Sequence, residues 1–158
     1  MKNIHNFLLI SLVLVITGFG CTSVNRSIHV PDGKVVNEGL STVNGSIHIG
    51  NDCTVRGSAS TVNGKIEVGE NSRVEDLRTV NRGVFIQRNT MVDGDIKTVN
   101  GQVLCSEGVQ VNGNVTAVNG RMRCLEGAVI SGNLSNVNGE IELQGTHINQ
   151  DIRTHTGS

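Results

Sequence analysis

Residues 42–60 read TVNGSIHIGNDCTVRGSAS, and residues 61–78 read TVNGKIEVGENSRVEDLR. Both stretches begin with Thr-Val-Asn-Gly and then place an aliphatic residue on each side of one polar residue. The Val of this unit recurs at Val24, Val43, Val62, Val80, Val99, Val118 and Val137, with spacings of 19, 19, 18, 19, 19 and 19 residues. Seven copies predict one repeat domain in which neighbouring copies stack on one another.

Apolar residues fall in columns when the copies are aligned on this Val, which we number as position zero. Positions 0, 4, 6, 12 and 16 hold an aliphatic residue, Cys or Met at all seven levels, and position 10 holds smaller residues. We expect these positions to face inward, at spacings of 4, 2, 4, 2, 4 and 3 residues. The Thr that precedes Val in four copies is explained by β propensity on the surface.

Inward residues separated by one outward residue are typical of a strand, and the columns divide each repeat into three sides. The sequence therefore predicts an all-β fold, a triangular, single-stranded parallel β-helix (a β-solenoid) of about seven turns of 18–19 residues. At about 4.8 Å per level, the rod would be roughly 34 Å long. Hexapeptide-like stretches keep a left-handed winding open, but the spacings above 18 favour a right-handed one.

Glycine and asparagine mark the corners between these sides. Asn-Gly follows the Val in five copies and predicts positive φ at that corner, with the seven stacked Asn residues forming a side-chain amide ladder. Arg26 and Arg82 replace this Gly in two copies, so we expect the turn to open or shift there. The 18-residue copy loses its residue near Glu75-Asp76-Leu77.

The first twenty residues are separate from the repeat. A basic start, an apolar run from Phe7 to about Val15 and small residues before Cys21 predict an export signal helix over residues 1–20, followed by the repeat domain over 21–158. Gly20-Cys21 resembles a bacterial lipobox, which implies lipidation of Cys21 and, because Thr22 follows, sorting to the outer membrane. Ordinary cleavage or an uncleaved anchor are the alternatives.

The repeats from Val24 onward resemble those of bacterial exported adhesin-like proteins and of polymer-forming, bactofilin-related β-helix proteins. That resemblance implies a structural β-helix that stacks end to end, and it says little about activity. An export signal distinguishes this chain from bactofilins, which lie inside the cell. The resemblance and the signal imply a membrane-anchored lipoprotein of the envelope, facing the periplasm or the cell surface.

Composition excludes several functions. A formal net charge of −1 gives no basic surface for nucleic acid, and Phe85 is the only aromatic residue after the signal. We find no catalytic, cofactor-binding or metal-binding constellation, because the repeat has no long loop and His29 and His48 lack a recurring third ligand. Glu140 and Glu142 are expected to face Arg121 and Arg123 of the preceding turn. The chain is therefore interpreted as a non-enzyme.

The remaining cysteines give a second test of the register. Cys105 and Cys124 fall in one inward column one turn apart, within disulfide range, although packing as two free thiols is favoured. Cys53 lies three turns away from Cys105 and is expected to be unpaired.

One outward patch is less polar than its surroundings. Phe85 and Leu104 are stacked at position 5, and Met91 faces outward on the adjoining side. These three residues are a candidate interface for a second rod or another envelope protein. The sequence thus predicts a lipid-anchored scaffolding rod that self-assembles or, as the alternative, an adhesin-like module that presents one face to a protein or glycan.

Overall fold

The structure, a computed structural model, describes residues 20–155. The predicted signal segment falls outside this range except for Gly20, and its helix is therefore not described. Three parallel sheets form a β-solenoid of about seven turns, which confirms the predicted fold class. Between residues 20 and 155 no helix is long and apolar enough to cross a bilayer. The right-handed winding stays a prediction.

Each turn contributes one short strand to each sheet, and strands pair only with their equivalents in the turns before and after. Sheet 1 contains β1 (Gly20–Ser23), β4 (Gly39–Thr42), β7 (Ala59–Thr61), β10 (Leu77–Thr79), β13 (Ile96–Thr98), β16 (Val115–Asn119), β19 (Leu134–Asn138) and β22 (Ile152–Thr154). Sheet 2 contains β2 (Ile28–Val30), β5 (Ile47–Ile49), β8 (Ile66–Val68), β11 (Val84–Ile86), β14 (Val103–Cys105), β17 (Met122–Cys124) and β20 (Ile141–Leu143). Sheet 3 contains β3 (Val35–Val36), β6 (Thr54–Val55), β9 (Arg73–Val74), β12 (Met91–Val92), β15 (Gln110–Val111), β18 (Val129–Ile130) and β21 (His147–Ile148).

The core is the stack of inward columns at positions 4, 6, 10, 12 and 16. In the central turns these side chains are at most 3% exposed, as Ile66, Val68, Val74 and Leu77 illustrate. Burial weakens at the two ends, where Lys34 is exposed in the first turn and Ile152 is 49% exposed in the last described one. The stabilisation that comes from burying apolar side chains is therefore concentrated in the middle of the rod.

One predicted column is wrong. The Val at position zero does not enter the core, since Val80 is 37% and Val99 is 39% exposed. The residue before it does, because Thr61 and Thr79 are each only 4% exposed. Leu77 and Thr79 are the two inward residues of β10, separated by the outward Arg78, so sheet 1 keeps strict alternation. The repeated Val side chains instead lie beside the corner, half-buried or exposed.

The two length irregularities lie where the alignment puts them. Val55 to Ala59 is four residues, whereas their register partners Val74 and Leu77 are three residues apart, so the 18-residue turn is short between sheets 3 and 1. In the last turn the segment from Leu143 to Ile148 is one residue shorter than the segment between their register partners, Cys124 and Ile130. The strands before and after each deletion keep their register because only the corner absorbs it.

Three corners join the sheets, and we name them for what builds them. The asparagine corner runs from sheet 1 to sheet 2, and the left-handed corner runs from sheet 2 to sheet 3. The Asx corner runs from sheet 3 to sheet 1, where the Asp95 carboxylate accepts the backbone N–H of Asn114 at 2.8 Å. In the next turn Asn114 Oδ1 accepts the N–H of Asn133 at 2.9 Å. Side-chain oxygens thus connect successive turns at this corner.

Candidate binding groove at the asparagine corner

The predicted amide ladder is present at the asparagine corner. Each Asn donates its Nδ2 hydrogen to the Oδ1 atom of the Asn one turn earlier. The donor–acceptor distances are 2.6 Å for Asn44–Asn25, 2.7 Å for Asn63–Asn44, 2.6 Å for Asn81–Asn63, 3.2 Å for Asn100–Asn81, 2.9 Å for Asn119–Asn100 and 2.9 Å for Asn138–Asn119. The Asn side chains of the ladder, from Asn25 to Asn119, are exposed, so the ladder forms an outer edge of the rod.

The buried Thr column supports this corner from inside. Thr61 Oγ1 donates to the carbonyl oxygen of Gly45 at 2.8 Å, and Thr79 Oγ1 donates to that of Gly64 at 2.9 Å. Thr42 and Thr98 make the same bond to Arg26 and Arg82 of the preceding turn, at 2.9 and 3.1 Å. A buried carbonyl without a hydrogen-bond partner costs free energy of folding. This cost explains why the inward position holds Thr, which we had expected on the surface.

Two later copies have a different residue at the position of the buried Thr. Ala117 has no hydroxyl, and Asn136 donates Nδ2 to the carbonyl oxygen of Gly120 at 2.7 Å. Asn136 is 1% exposed, and its Oδ1 atom has no hydrogen-bond partner within the described residues. The Thr side chain therefore fits this position better than the larger amide does.

Positive φ angles occur at the left-handed corner and not, as we expected, at Asn-Gly. The residues with positive φ are Gly33, Asp52, Asn71, Asn89, Gly108, Gly127 and Gly145. At the asparagine corner glycine is required for a different reason. A Cβ atom at Gly64 would overlap the backbone carbonyl of Gly45, because successive turns approach closely there.

The fourth copy reads Asn81-Arg82-Gly83 and departs from this pattern. Asn81 stays in the ladder, and the carbonyl of Arg82 still accepts its Thr hydrogen bond. The expected shift consists of moving glycine one position along the chain. Gly83 then stands where other copies have a side chain, and a Cβ atom there would lie 3.0 Å from Cε2 of Phe85. The Phe85 ring and Gln102 therefore fill the space that a side chain at residue 83 would need.

A groove of about 810 Å³ lies along this corner. It extends from Ser46 in one turn to Arg121 four turns later, with Gly83 and Phe85 near its middle. Its remaining lining residues are Asn63, Gly64, Lys65, Asn81, Arg82, Asn100, Gly101, Gln102, Asn119 and Gly120. The lining contains three cationic side chains and no acidic one, although the chain as a whole carries a net charge of −1.

The three cations differ in their partners. Lys65 is ion-paired with Glu67, and Arg121 with Glu140 at 2.9 Å. Arg82 forms no ion pair with any residue between 20 and 155. The middle of the groove therefore presents a guanidinium whose charge no neighbouring carboxylate offsets.

The three residues of the predicted interface, Phe85, Leu104 and Met91, do not lie on one face of the rod. Phe85 and Leu104 are register partners in sheet 2, and both are half-buried on its outer face. Phe85 lines the groove and Leu104 does not. Met91 belongs to sheet 3, where it pairs with Arg73 and Gln110. The three side chains are thus spread over two faces, and Phe85 is the one that adjoins a concave surface.

Several other charged residues of the outer faces form ion pairs. Arg121 and Arg123 meet Glu140 and Glu142, as predicted, with the second pair at 3.3 Å. The rings of His29 and His48 are neighbours, tilted by 51° with centroids 6.5 Å apart, and His48 Nδ1 lies 2.6 Å from a Glu67 carboxylate oxygen. No cluster of three or more His, Cys, Asp or Glu side chains within residues 20–155 is arranged to hold a metal ion.

The cysteines of the core are free. Cys105 and Cys124 are register partners, are buried and form no disulfide, in line with the favoured alternative. The neighbouring Cys124 thiol and burial raise the pKa of Cys105 well above its ordinary value. Cys53 is also free and buried, as expected. Because they are buried and form no disulfide, the thiols pack as small apolar side chains.

Cys21 lies in β1, where its backbone pairs with that of Leu40. The solenoid therefore begins at the predicted lipidation residue without an intervening linker. The side chain of Cys21 lies outside the described part of the structure.

Comparison with known proteins adds no relative. No family model, no curated protein and no solved structure matches this chain. The geometry fits β-helix repeat proteins in general, and it does not by itself connect the chain to bactofilins or adhesins.

Proposed function

We propose that the protein is a non-catalytic, lipid-anchored structural rod of the bacterial cell envelope. The observation that carries this proposal is the uninterrupted three-sheet stack, which begins at the residues next to the candidate lipidation cysteine. Stacked turns bury one continuous core and hold their shape over the length of the rod, which suits a spacer or scaffold. A chain lipidated at Cys21 and sorted to the outer membrane would project this rod from the membrane surface.

The paired surface charges support the non-catalytic part of the proposal. Arg73 illustrates this arrangement, since its guanidinium donates to both carboxylate oxygens of Asp93, at 2.6 and 3.0 Å. This hydrogen bonding raises the pKa of Arg73. Groups held in such pairs stabilise neighbouring turns and are not poised to exchange protons with a substrate.

The anchor is tested by labelling cells with an alkyne-bearing fatty acid and separating membranes from soluble protein. We expect the wild type to carry the label and to sediment with outer membranes, whereas Cys21→Ala loses both properties. Cys53→Ala is the matched control, because it removes a buried thiol from the same chain. Equal labelling of the Cys21→Ala variant and the wild type would reject the anchor.

Self-assembly belongs to the same proposal. The last described turn supports it, because Ile141, Leu143 and Ile148 are only partly buried and Ile152 is 49% exposed. A second rod stacked on this end would cover these side chains. Negative-stain microscopy of the detergent-solubilised lipoprotein should show filaments that Ile152→Lys shortens or abolishes. Isolated rods of the same length for both proteins would contradict assembly.

A second function, binding of a ligand along one face of the rod, is favoured by the groove at the asparagine corner. Phe85 and Arg82, a cation without an ion-pair partner among residues 20–155, distinguish this groove from the charge-paired faces.

A further inference from the structure

We infer that the groove at the asparagine corner binds a linear oligosaccharide that carries carboxylate groups. This inference rests on the second proposed function, binding, and adds the ligand class and the residues that recognise it. It is independent of the lipid anchor and of assembly.

The amide ladder provides a repeating set of polar contacts. Each of its central amides uses one N–H and one carbonyl lone pair for its neighbours in the ladder. A primary amide has a second N–H and a second lone pair, so each ladder amide that lines the groove keeps one donor and one acceptor for a ligand. The lining amides of the groove are Asn63, Asn81, Asn100 and Asn119, and all four are exposed. A linear oligosaccharide repeats its hydroxyl groups along its length and therefore matches such an array.

Phe85 provides the apolar contact that a sugar ring requires. Its ring is half-buried near the middle of the groove, where it lies against the backbone of Gly83. The C–H face of a pyranose is apolar, so it packs on an aromatic ring while its hydroxyl groups reach the amides on either side. One ring flanked by amides favours a single stacked sugar in a polar chain.

The charges select an acidic ligand. Arg82 has no ion-pair partner in the described part of the chain, and it lines the groove at the same level as Phe85. A guanidinium binds a carboxylate through two parallel hydrogen bonds, which fixes orientation as well as charge. Lys65 and Arg121 lie towards the two ends of the groove, where Glu67 and Glu140 offset their charges, so Arg82 is the lining cation that selects a carboxylate.

Other polymers fit the groove less well. Single-stranded nucleic acid binds through several aromatic platforms, and the repeat domain has only Phe85. An extended peptide is recognised by a free strand edge and by apolar pockets for alternate side chains. The groove lies along a corner between two sheets and contains one apolar side chain. These differences make the acidic oligosaccharide the ligand that the lining supports.

The test uses the full chain, purified in detergent, on an array of linear acidic and neutral oligosaccharides. The best acidic glycan and its carboxyl-reduced form are then titrated by calorimetry. We expect retention of acidic glycans and at least about tenfold weaker binding of the reduced form, because a charge-assisted hydrogen-bond pair is lost. Retention of no acidic glycan overturns the inference, and so does equal affinity for polyglutamate or single-stranded DNA of matched charge.

Matched variants locate the site. Arg82→Gln should weaken the acidic glycan about tenfold and leave the reduced glycan unchanged, whereas Phe85→Ala should weaken both. Arg88→Gln and Leu104→Ala are the controls, since both residues are outward-facing and neither lines the groove. Circular dichroism melting verifies that all four variants fold. Equal effects of Arg82→Gln and Arg88→Gln would place binding elsewhere and overturn the assignment, whatever the outcome of the lipid-labelling experiment.

Discussion

The asparagine corner and the left-handed corner occur in every turn of the solenoid, and glycine is frequent at both. At the asparagine corner the constraint is space, because the backbone of Gly64 lies against the carbonyl of Gly45. At the left-handed corner the constraint is the dihedral angle, since Gly127 has a φ of +73° and an added Cβ atom would come no nearer than 3.7 Å to its neighbours. Asn71 and Asn89 fill the same position with φ of +54°.

This comparison explains which substitutions each corner accepts. Asn and Asp tolerate left-handed angles, so they replace Gly at the left-handed corner without loss of register. At the asparagine corner an added Cβ atom at Gly64 or Gly101 would overlap a backbone carbonyl of the preceding turn. The fourth copy is the exception, since Arg82 stands at this position and Gly83 follows it, against the ring of Phe85.

The largest effect is expected for Gly64→Ala. The new methyl group would overlap the Gly45 carbonyl, so two turns must separate and the Thr61 hydrogen bond to that carbonyl must weaken. We expect a loss of about 3 kcal/mol in the free energy of unfolding, the cost of forcing atoms into a packed site. Urea denaturation followed by circular dichroism measures it. A loss as small as that of Gly127→Ala would remove the distinction between the two corners.

Next in size is the hydroxyl that supports the asparagine corner. Thr61→Val keeps the shape of the side chain but leaves the buried carbonyl of Gly45 without its donor, at a cost of about 2 kcal/mol. Asn136→Thr should do the opposite and stabilise by about 1 kcal/mol, because it removes a buried oxygen without a partner. Thermal unfolding of the two variants should move in opposite directions. Destabilisation by Asn136→Thr would show that the column has no preference for Thr.

A smaller effect is expected at the left-handed corner. Gly127→Ala should cost about 1 kcal/mol, since alanine pays the penalty of a positive φ without meeting a clash. Gly127→Asn should cost less than Gly127→Ala despite its larger side chain, as Asn71 and Asn89 indicate. Denaturant midpoints compare the two variants. If the larger residue is the more harmful, space and not dihedral angle governs this corner as well.

The smallest effect concerns pH at the Asx corner. The Lys97 ammonium, followed by the backbone N–H of Asn114, lowers the pKa of Asp95. A lowered folded-state pKa means that stability is present above the unfolded value of about 4 and is lost as the pH falls through the folded value. Asp95→Asn keeps the acceptor for Asn114 and should flatten the acid dependence by under about 1 kcal/mol.

The control for this measurement is Asp52→Asn, which removes the same charge at the left-handed corner, where Asn occurs in the next two turns. Stability curves between about pH 2.5 and 6 should differ from wild type only for the Asp95 variant. Parallel curves for all three proteins would show that the Asx corner contributes nothing to acid stability.

Much of this fold was predictable because stacking repeats the same environment at every level. The columns that contain Ile66, Val68 and Leu77 were identified from aliphatic identity alone, and so was the place of the shortened turn. At the end of the sheet 1 strands the sequence predicted Val inward and Thr outward, which is the reverse of the structure. Hydrophobicity had favoured Val62 for the interior. Strict alternation from Ala59 would have selected Thr61, whose hydroxyl satisfies a carbonyl that no apolar residue can satisfy.

The groove was not predictable in the same way. Its middle lies at the copy that breaks the pattern, and Asn81-Arg82-Gly83 was recognised only as a disturbed turn. The sequence signal was the exchange of Arg and Gly beside the single aromatic residue of the repeat domain. Its consequence depends on the ring of Phe85 lying against Gly83, which is a tertiary contact and not a property of either residue.

The amide dipoles of the ladder are aligned along the rod. Every bond from Asn44 to Asn138 has its donor in the later turn and its acceptor in the earlier one, so the amide dipoles align head to tail. Aligned hydrogen bonds polarise one another, and the bonds of such a chain strengthen cooperatively. Interrupting the middle, for example at Asn81, would leave two shorter dipole chains instead of one. The two ends of the rod therefore differ in polarity along this edge, and a molecule that lies along the ladder meets a surface that distinguishes its orientation.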